Sequence, residues 1–305
     1  MKTHQWLGIL SLSLGLGSAP SFAVTEVVPS IAVTHDSSFQ LPGTVPSNAR
    51  WLAVAASKEG KEVLYSYISA APGAPLPTIY LSDGPGVYTV TVYQSDGVRV
   101  TDKAITSFKK LQVRNDDTQD HQYLLPSLQV QSDAPEIVEL AQKLTRGKAS
   151  DYEKARAIHD WVASTLSYDE DGVLDKSYTS RSLDALTALQ SKVTVCEGYS
   201  ALYAAIARAA GIRTRIVTGK AYPRRNAPAG ASDEQICQAN TPGHGWNEVF
   251  VNNRWISVDT TFDSGYSSGR TNADFVHFEP KEYRHFDGNV SDFAETHLRC
   301  EVMGI

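Results

Sequence analysis

Gly243-His244-Gly245-Trp246-Asn247-Glu248-Val249-Phe250-Val251, then Asn252-Asn253, then Arg254-Trp255-Ile256-Ser257-Val258-Asp259, decides how the second half of this 305-residue chain is read. Two runs rich in β-branched and aromatic residues flank an Asn-Asn pair. Asparagine tolerates positive φ, so a hairpin with a two-residue type I′ turn is predicted. A turn of that length fixes the register, with Val251 opposite Arg254 and Trp246 opposite Asp259. His244 lies two residues from Trp246 and shares its face of the ribbon. His244 and Asp259 are then diagonal same-face neighbours, close enough for a carboxylate to hold an imidazole N–H. The side chain of Asn247 points to the opposite face. Taken alone, His244 and Asp259 read equally well as a surface pair on a hairpin and as a base with its orienting acid.

Cys196 changes that balance. It lies directly ahead of Glu197-Gly198-Tyr199-Ser200-Ala201-Leu202-Tyr203-Ala204-Ala205-Ile206-Ala207-Arg208-Ala209-Ala210-Gly211. Tyr199, Leu202, Tyr203, Ile206 and Ala210 recur at helical spacing and Gly211 suits a C′ position, so Cys196 is predicted at a helix N-terminus. The helix dipole and unpaired N–H groups there favour a thiolate, and such settings bring a thiol pKa from about 8.5 down to roughly 3.5–7.5. A single cysteine is more often a buried structural residue, but this placement, combined with the hairpin pair, points to thiol chemistry. His244 would take the Cys196 proton, Asp259 would fix the tautomer and stabilise the imidazolium, and the Cys196 backbone N–H would serve as an oxyanion donor. Trp246 is open between a substrate contact and packing beneath the pair, and Glu248 is expected to be solvated or structural.

Upstream of the cysteine the hydrophobic period is helical. Asp133 can cap a helix that has Pro135 in its first turn, Ile137, Val138, Leu140, Ala141 and Leu144 on its apolar face, and Gly147 at its end. A second helix begins at Ser150, where Ser150 and Glu153 have capping-box spacing, and a third, shorter one runs from Ser182 to Leu189. His159, beside the apolar stripe of the second helix, is read as structural or solvated. Before residue 115 the pattern is strand-like, in Trp51–Ala55, Val63–Ile68 and Val87–Tyr93, with turn chemistry at Ser82-Asp83-Gly84, Pro85-Gly86 and Ser95-Asp96-Gly97. This predicts an Ig-like β-sandwich over residues 24–114, a packed accessory domain with no site residues of its own. The polar, aperiodic run from Asn115 to Asp120 opens a linker, 115–132, ahead of a catalytic domain at 133–305.

The segments Val195-Cys196-Glu197-Gly198-Tyr199-Ser200, His244-Gly245-Trp246-Asn247-Glu248-Val249 and Val258-Asp259-Thr260-Thr261-Phe262-Asp263 resemble the transglutaminase-like superfamily, in its bacterial secreted branch. Ile158-His159-Asp160-Trp161-Val162, followed by Tyr168-Asp169, is similar to the helix upstream of that family's cysteine. The resemblance spans roughly Asp133 to Asp263. It implies an α+β, papain-like transglutaminase core with a Cys-His-Asp triad, carried here by Cys196, His244 and Asp259. It further implies an acyl-enzyme thioester formed on an amide of the glutamine type and resolved by an amine or by water. A cysteine peptidase or amidase of cell-wall or surface polymers is an alternative, and a catalytically silent binding module is another; an intact Cys-His-Asp set argues against silence. Animal members use calcium, but no acidic loop here resembles an EF-hand, so no metal or cofactor is expected.

Residues 1–23 read as a secretory signal peptide: Lys2 and His4 lead an apolar run from Trp6 to Leu16, and Ser21-Phe22-Ala23 supplies a small-residue cleavage site. The run falls short of the ~20 residues that a spanning helix needs, so a secreted or extracytoplasmic protein without a stable membrane anchor is expected. Cleavage removes one lysine and makes the formal net charge of −6 one unit more negative. That acidic balance argues against nucleic acid or anionic lipid as partner and leaves a protein or peptide substrate, or a cell-envelope polymer. Cys196, Cys237 and Cys300 are the three cysteines. With Cys196 kept as a thiol, export makes Cys237 and Cys300 the natural disulfide pair. His277, His285 and His297 in the tail match no zinc-ligand spacing with either of them, and Phe275, Phe278 and Phe293 are expected to pack the tail against the domain.

Overall fold

The computed structural model describes residues 31–96, 106–223, 225, 227–239 and 243–302; the expected leader lies outside them. The first third gives β1 (Ala32–Thr34), β2 (Ser38–Gln40), β3 (Trp51–Lys58), β4 (Lys61–Ser69), β5 (Thr78–Tyr80), β6 (Gly86–Ser95) and β7 (Thr106–Asn115). Five of these form a sheet in the order β1-β7-β6-β3-β4, antiparallel except for the β1–β7 pair. The alternation in β6 works as the period-two pattern requires. Tyr88, Val90 and Val92 are each 0% exposed, while Thr89 and Thr91 are only partly covered on the other face. β2 and β5 pair as a two-stranded ribbon, and Leu41, Leu76, Ile79 and Leu81 on and beside it join the same core. The region is β-rich; a five-stranded sheet and this ribbon are what the described residues contain of the expected sandwich.

The segment 115–132 is anchored along its length. Asn115 is fully buried, and its Nδ2 donates to Ser37 Oγ at 3.0 Å and to the Leu81 and Gly84 carbonyls at 3.0 and 3.3 Å. The Tyr123 and Gln129 carbonyls accept from the N–H groups of Thr214 and Ala185, and the Leu125 carbonyl accepts from Arg208 Nη1. The expected linker is thus tied to its neighbours by the Asn115 side chain and by backbone carbonyls.

The remainder of the chain comprises α1 (Pro135–Thr145), α2 (Asp151–Thr165), β8 (Ser167–Tyr168), α3 (Glu170–Leu174), α4 (Ala185–Ser191), β9 (Val193–Thr194), α5 (Cys196–Ala209) and β10 (Thr214–Ala221). Then come α6 (Asp233–Gln238), β11 (His244–Val251), β12 (Arg254–Val258), α7 (Thr260–Ser264), β13 (Gly265–Ser267), β14 (Phe275–His277), α8 (Val290–Thr296) and β15 (His297–Val302). Asp133 does not cap α1. Ala134 occupies the N-cap without a side-chain bond, and Asp133 Oδ2 accepts from the Tyr80 hydroxyl at 2.5 Å. Pro135 has no N–H to satisfy, and Asp133 stands one residue too early. Ser150 does cap α2, accepting from the Glu153 N–H at 3.2 Å.

α5 is the pivot of this half. Every residue from Gly198 to Arg208 is buried, the mark of a helix enclosed on all sides. Its polar groups reach backbone: Tyr199 Oη donates to the Leu166 carbonyl at 2.6 Å, Tyr203 Oη to Ala155 at 3.2 Å and Arg208 Nε to Thr214 at 3.0 Å. Gly211, at φ 78°, ends it as expected. α5 lies against an antiparallel sheet ordered β12-β11-β10-β15, whose Ile216, Val249, Val251, Ile256 and Val258 enter the common core. Gly219 of β10 permits the pairing with β15, because a Cβ there would stand 1.9 Å from the Leu298 carbonyl oxygen.

Candidate active site

The hairpin forms in the register read from the sequence. Asn247 pairs with Val258 and Val251 with Arg254, and Asn252 and Asn253 take φ of 51° and 58°, the type I′ combination. One position beyond the last pair, Asp259 leaves the strand as the N-cap of α7. His244 Nε2 lies 2.6 Å from Asp259 Oδ2. With Nε2 occupied, Nδ1 is the nitrogen left for the thiol, and Cys196 lies close enough to His244 and to the Gly245 backbone N–H for both to lower its pKa. Cys196 is half-buried and is the free cysteine of the chain. The helix start, the strand start and the strand end therefore bring Cys196, His244 and Asp259 together.

Burial opposes charge at this site, and the neighbours decide the outcome. For Cys196, burial pushes the thiol up, but the His244 hydrogen bond and charge, with the Gly245 N–H, bring it below its ordinary value. Burial would lower His244, yet the Asp259 carboxylate and the thiolate push it up to about 10. Asp259 is 1% exposed; despite burial, His244 and then His297 hold its carboxyl well below the usual range. The directions agree on a thiolate–imidazolium pair backed by a carboxylate. Beside the thiol, burial pushes the Glu197 carboxyl up to about 7, which weakens a negative charge that would oppose the thiolate.

Asp259 is held on both oxygens. Its Oδ1 accepts from the backbone N–H groups of Thr261 and Phe262 at 2.8 and 3.1 Å, while Oδ2 accepts from His244 Nε2 at 2.6 Å and His297 Nε2 at 2.8 Å. Sequence reasoning missed His297 as a partner of Asp259, because 38 residues separate them and β15 reaches the site only through its pairing with β10. Ligand-type atoms of His244, Asp259 and His297 lie within 4.8 Å of one another, a grouping a metal ion could use among the described residues. Their contacts are hydrogen bonds onto one shared oxygen, and His244 is also engaged by the thiol.

Trp246, 2% exposed, packs beneath the pair, with its ring 6.0 Å from His244 and 5.1 Å from His297. Asn247 does point to the opposite face, which α5 covers: its Nδ2 donates to the Ser200 carbonyl at 3.0 Å and so pins the hairpin to the cysteine helix. Glu248 is structural, paired with Arg215 at 2.5 Å and with Arg299 at 3.3 Å. Cys237 and Cys300 form a disulfide with a Cα–Cα distance of 5.6 Å. It ties α6 to β15, the strand that carries His297, and removes both sulfurs from any pairing with the tail histidines.

Cys196 and His244 open into a cleft of about 1130 Å³. Tyr168, Tyr222, Phe262 and Tyr266 supply aromatic wall, and Ile236 and Ala239, on and just beyond α6, another side. Phe262 bridges the wall and the site, with its ring 4.8 Å from His244 and 5.4 Å from Tyr222.

Residues 138–260 match the model of the Transglutaminase-like superfamily. Kyphoscoliosis peptidase from Mus musculus is 29% identical over 131 residues, covering 42% of this chain and 18% of that protein. The Homo sapiens protein of that name is 28% identical over the same shares. The match thus spans under a fifth of the curated relatives' length. Among solved structures, a candidate cysteine protease from Cytophaga hutchinsonii is 17% identical, with a TM-score of 0.37 over 90% of this chain and 78% of that one. The periplasmic domain of TgpA from Pseudomonas aeruginosa is 16% identical, with a TM-score of 0.30 over 74% and 86%. Residues 138–260 of this chain are a transglutaminase-like domain.

Proposed function

We propose that the chain is an exported thiol enzyme that attacks an amide carbonyl of a peptide or protein and passes through a thioester on Cys196. The observation that carries the proposal is the set of Cys196 at the start of α5, His244 beside it, and Asp259 2.6 Å behind His244. The thiolate adds to the carbonyl carbon, and the negative charge that develops on oxygen is met at the N-terminus of α5, with the Cys196 N–H as donor. His244, protonated in the resting pair, gives its proton to the departing nitrogen, so that ammonia or an amine leaves and the thioester remains. An amine or a water molecule then gives a proton back to His244 and displaces the thiolate. Asp259 keeps the imidazole in the tautomer and orientation both steps need.

The aromatic-walled cleft is wide enough for a peptide segment. Resolution by water is a second reading, favoured by the name peptidase that the curated relatives bear. One experiment separates the two: a glutamine peptide is incubated with the protein, with and without a primary amine, and the products are weighed by mass spectrometry. Amine adducts report transfer, and a one-dalton gain or a cleaved backbone reports hydrolysis. No product in any arm, with wild type no different from Cys196→Ala, would defeat both readings.

A further inference from the structure

His297 lies outside the 138–260 match and belongs to none of the motifs by which the site was read. It is nonetheless bonded to the same carboxylate oxygen as His244, at 2.8 against 2.6 Å, and its side chain is 1% exposed. We infer that His297 is a positioning residue, which fixes the Asp259 carboxylate from the side opposite His244 so that its Oδ2 stays directed at the working imidazole. This rests on the thiol-enzyme reading above.

Both of its ring nitrogens are engaged, and aromatic rings pack around it. Nε2 faces an acceptor-only carboxylate and so carries the proton. Nδ1, then an acceptor, lies 2.8 Å from the Thr296 hydroxyl at the end of α8, which can donate to it. Phe293 stacks on the ring at 3.8 Å and 13°, and Phe262 and Trp246 contact it at 4.8 and 5.1 Å. The imidazole therefore cannot turn away from Asp259 without leaving this packing. Two imidazoles on one carboxylate oxygen do not carry equal charge. Burial and the neighbouring His244 and His285 hold His297 below the ordinary histidine value in spite of Asp259, whereas His244 is raised. His297 thus donates as the neutral partner and leaves the imidazolium to His244. The strand that presents it is fastened at both ends: Tyr222 N–H donates to the Thr296 carbonyl, and Cys300 is bridged to Cys237.

The test compares His297→Leu, which removes the donor, with His297→Gln, whose side-chain amide keeps an N–H at a similar reach. A hydrogen bond to a charged group is worth about a 10- to 100-fold effect, so His297→Leu should lower kcat by that factor with KM little changed. The pH at which Cys196 becomes rapidly alkylated should also rise, because a loosened Asp259 stabilises the His244 imidazolium less. His297→Gln should restore most of both. Equal values for wild type and His297→Leu, or equal losses in the two variants, would overturn the inference, as would a shift of the alkylation profile to lower pH. Should His297→Leu not fold, proton–nitrogen imidazole spectra of the wild-type protein decide. A protected Nε2–H signal that disappears in His297→Gln is expected, and its absence refutes the assignment. Failure of the thiol-enzyme reading would look different, as a wild-type Cys196 with no raised reactivity at all.

Discussion

Four residues apart, Asp259 and Asp263 each stand between two histidines, and the two clusters are built differently. Asp259 holds His244 and His297; Asp263 holds His159 at 3.1 Å and His285 at 2.8 Å. Both carboxylates are nearly inaccessible at 1% exposure, both also accept backbone N–H groups, and both sit below the ordinary carboxylate range, Asp263 at about 2. The difference is in the second nitrogen. His159 spends Nδ1 on Asp160 at 2.9 Å and Nε2 on Asp263, so neither nitrogen is left to move a proton. His244 spends one nitrogen on its carboxylate and turns the other to a thiol. In the proposed mechanism a nucleophile at the remaining nitrogen makes the His244–Asp259 pair machinery, whereas the His159–Asp263 pair is a fastening.

The strongest challenge to that contrast is to remove each charge in turn. Asp259→Asn should keep the fold and lower kcat by about 10⁴, the scale of the analogous change in a serine protease, because an amide holds the wrong tautomer and cannot stabilise imidazolium. Steady-state kinetics check it, and a loss of tenfold or less would break the contrast. Next in size is the fastening between α6 and β15. Its 63-residue separation implies about 4 kcal/mol in the chain-entropy model, so Cys237→Ser with Cys300→Ser should lower the melting temperature clearly while leaving Cys196 in place. Thermal melts with and without reductant would report it.

Asp263→Asn should show the reverse profile to Asp259→Asn: turnover largely kept, stability down by about 3 kcal/mol, since a buried pair loses one charge. The sign with pH follows from the lowered Asp263 carboxyl. Its contribution is complete above the unfolded value near 4 and is lost as pH falls from there to about 2, where the folded form protonates. Denaturant melts from about pH 5 to pH 2 should therefore be steeper in pH for wild type than for Asp263→Asn. Smallest is Asn247→Ala, which leaves the Ser200 carbonyl without its buried donor and should cost about 1–3 kcal/mol of stability with a modest change in kcat. A kcat loss matching that of Asp259→Asn would mean that the faces of the hairpin have been confused.

Local rules were enough for part of this site. An Asn-Asn turn fixes the register of the two strands, five pairs from Val251 with Arg254 to Asn247 with Val258, so His244 and Asp259 could be set side by side from the sequence. Helical spacing after Cys196 placed the thiol at a helix start, and the parity of three cysteines paired Cys237 with Cys300. His297 could not be found that way, because its reach to Asp259 depends on β15 pairing with β10 beside Gly219, and no turn or period ties those strands together. The strap that seats Asp259 was equally hidden: the Asp259 N–H donates to the His285 carbonyl, and Arg284 and His285, whose N–H groups donate to Asp263, belong to a segment without regular structure. The N-terminal sheet was legible strand by strand where alternation was strict, in β6, and less so where short strands such as β1 pair across the fold.

Competitive alkylation of Cys196 by iodoacetamide, read by peptide mass spectrometry against a model peptide thiol from about pH 5 to 8, tests the central claim most directly. A thiolate held by His244 should react well below the pH at which the free thiol does, and His244→Ala should erase the advantage. Equal rates for Cys196 and the model thiol across that range, or an unchanged rate in His244→Ala, would contradict the assignment of Cys196 as the activated nucleophile.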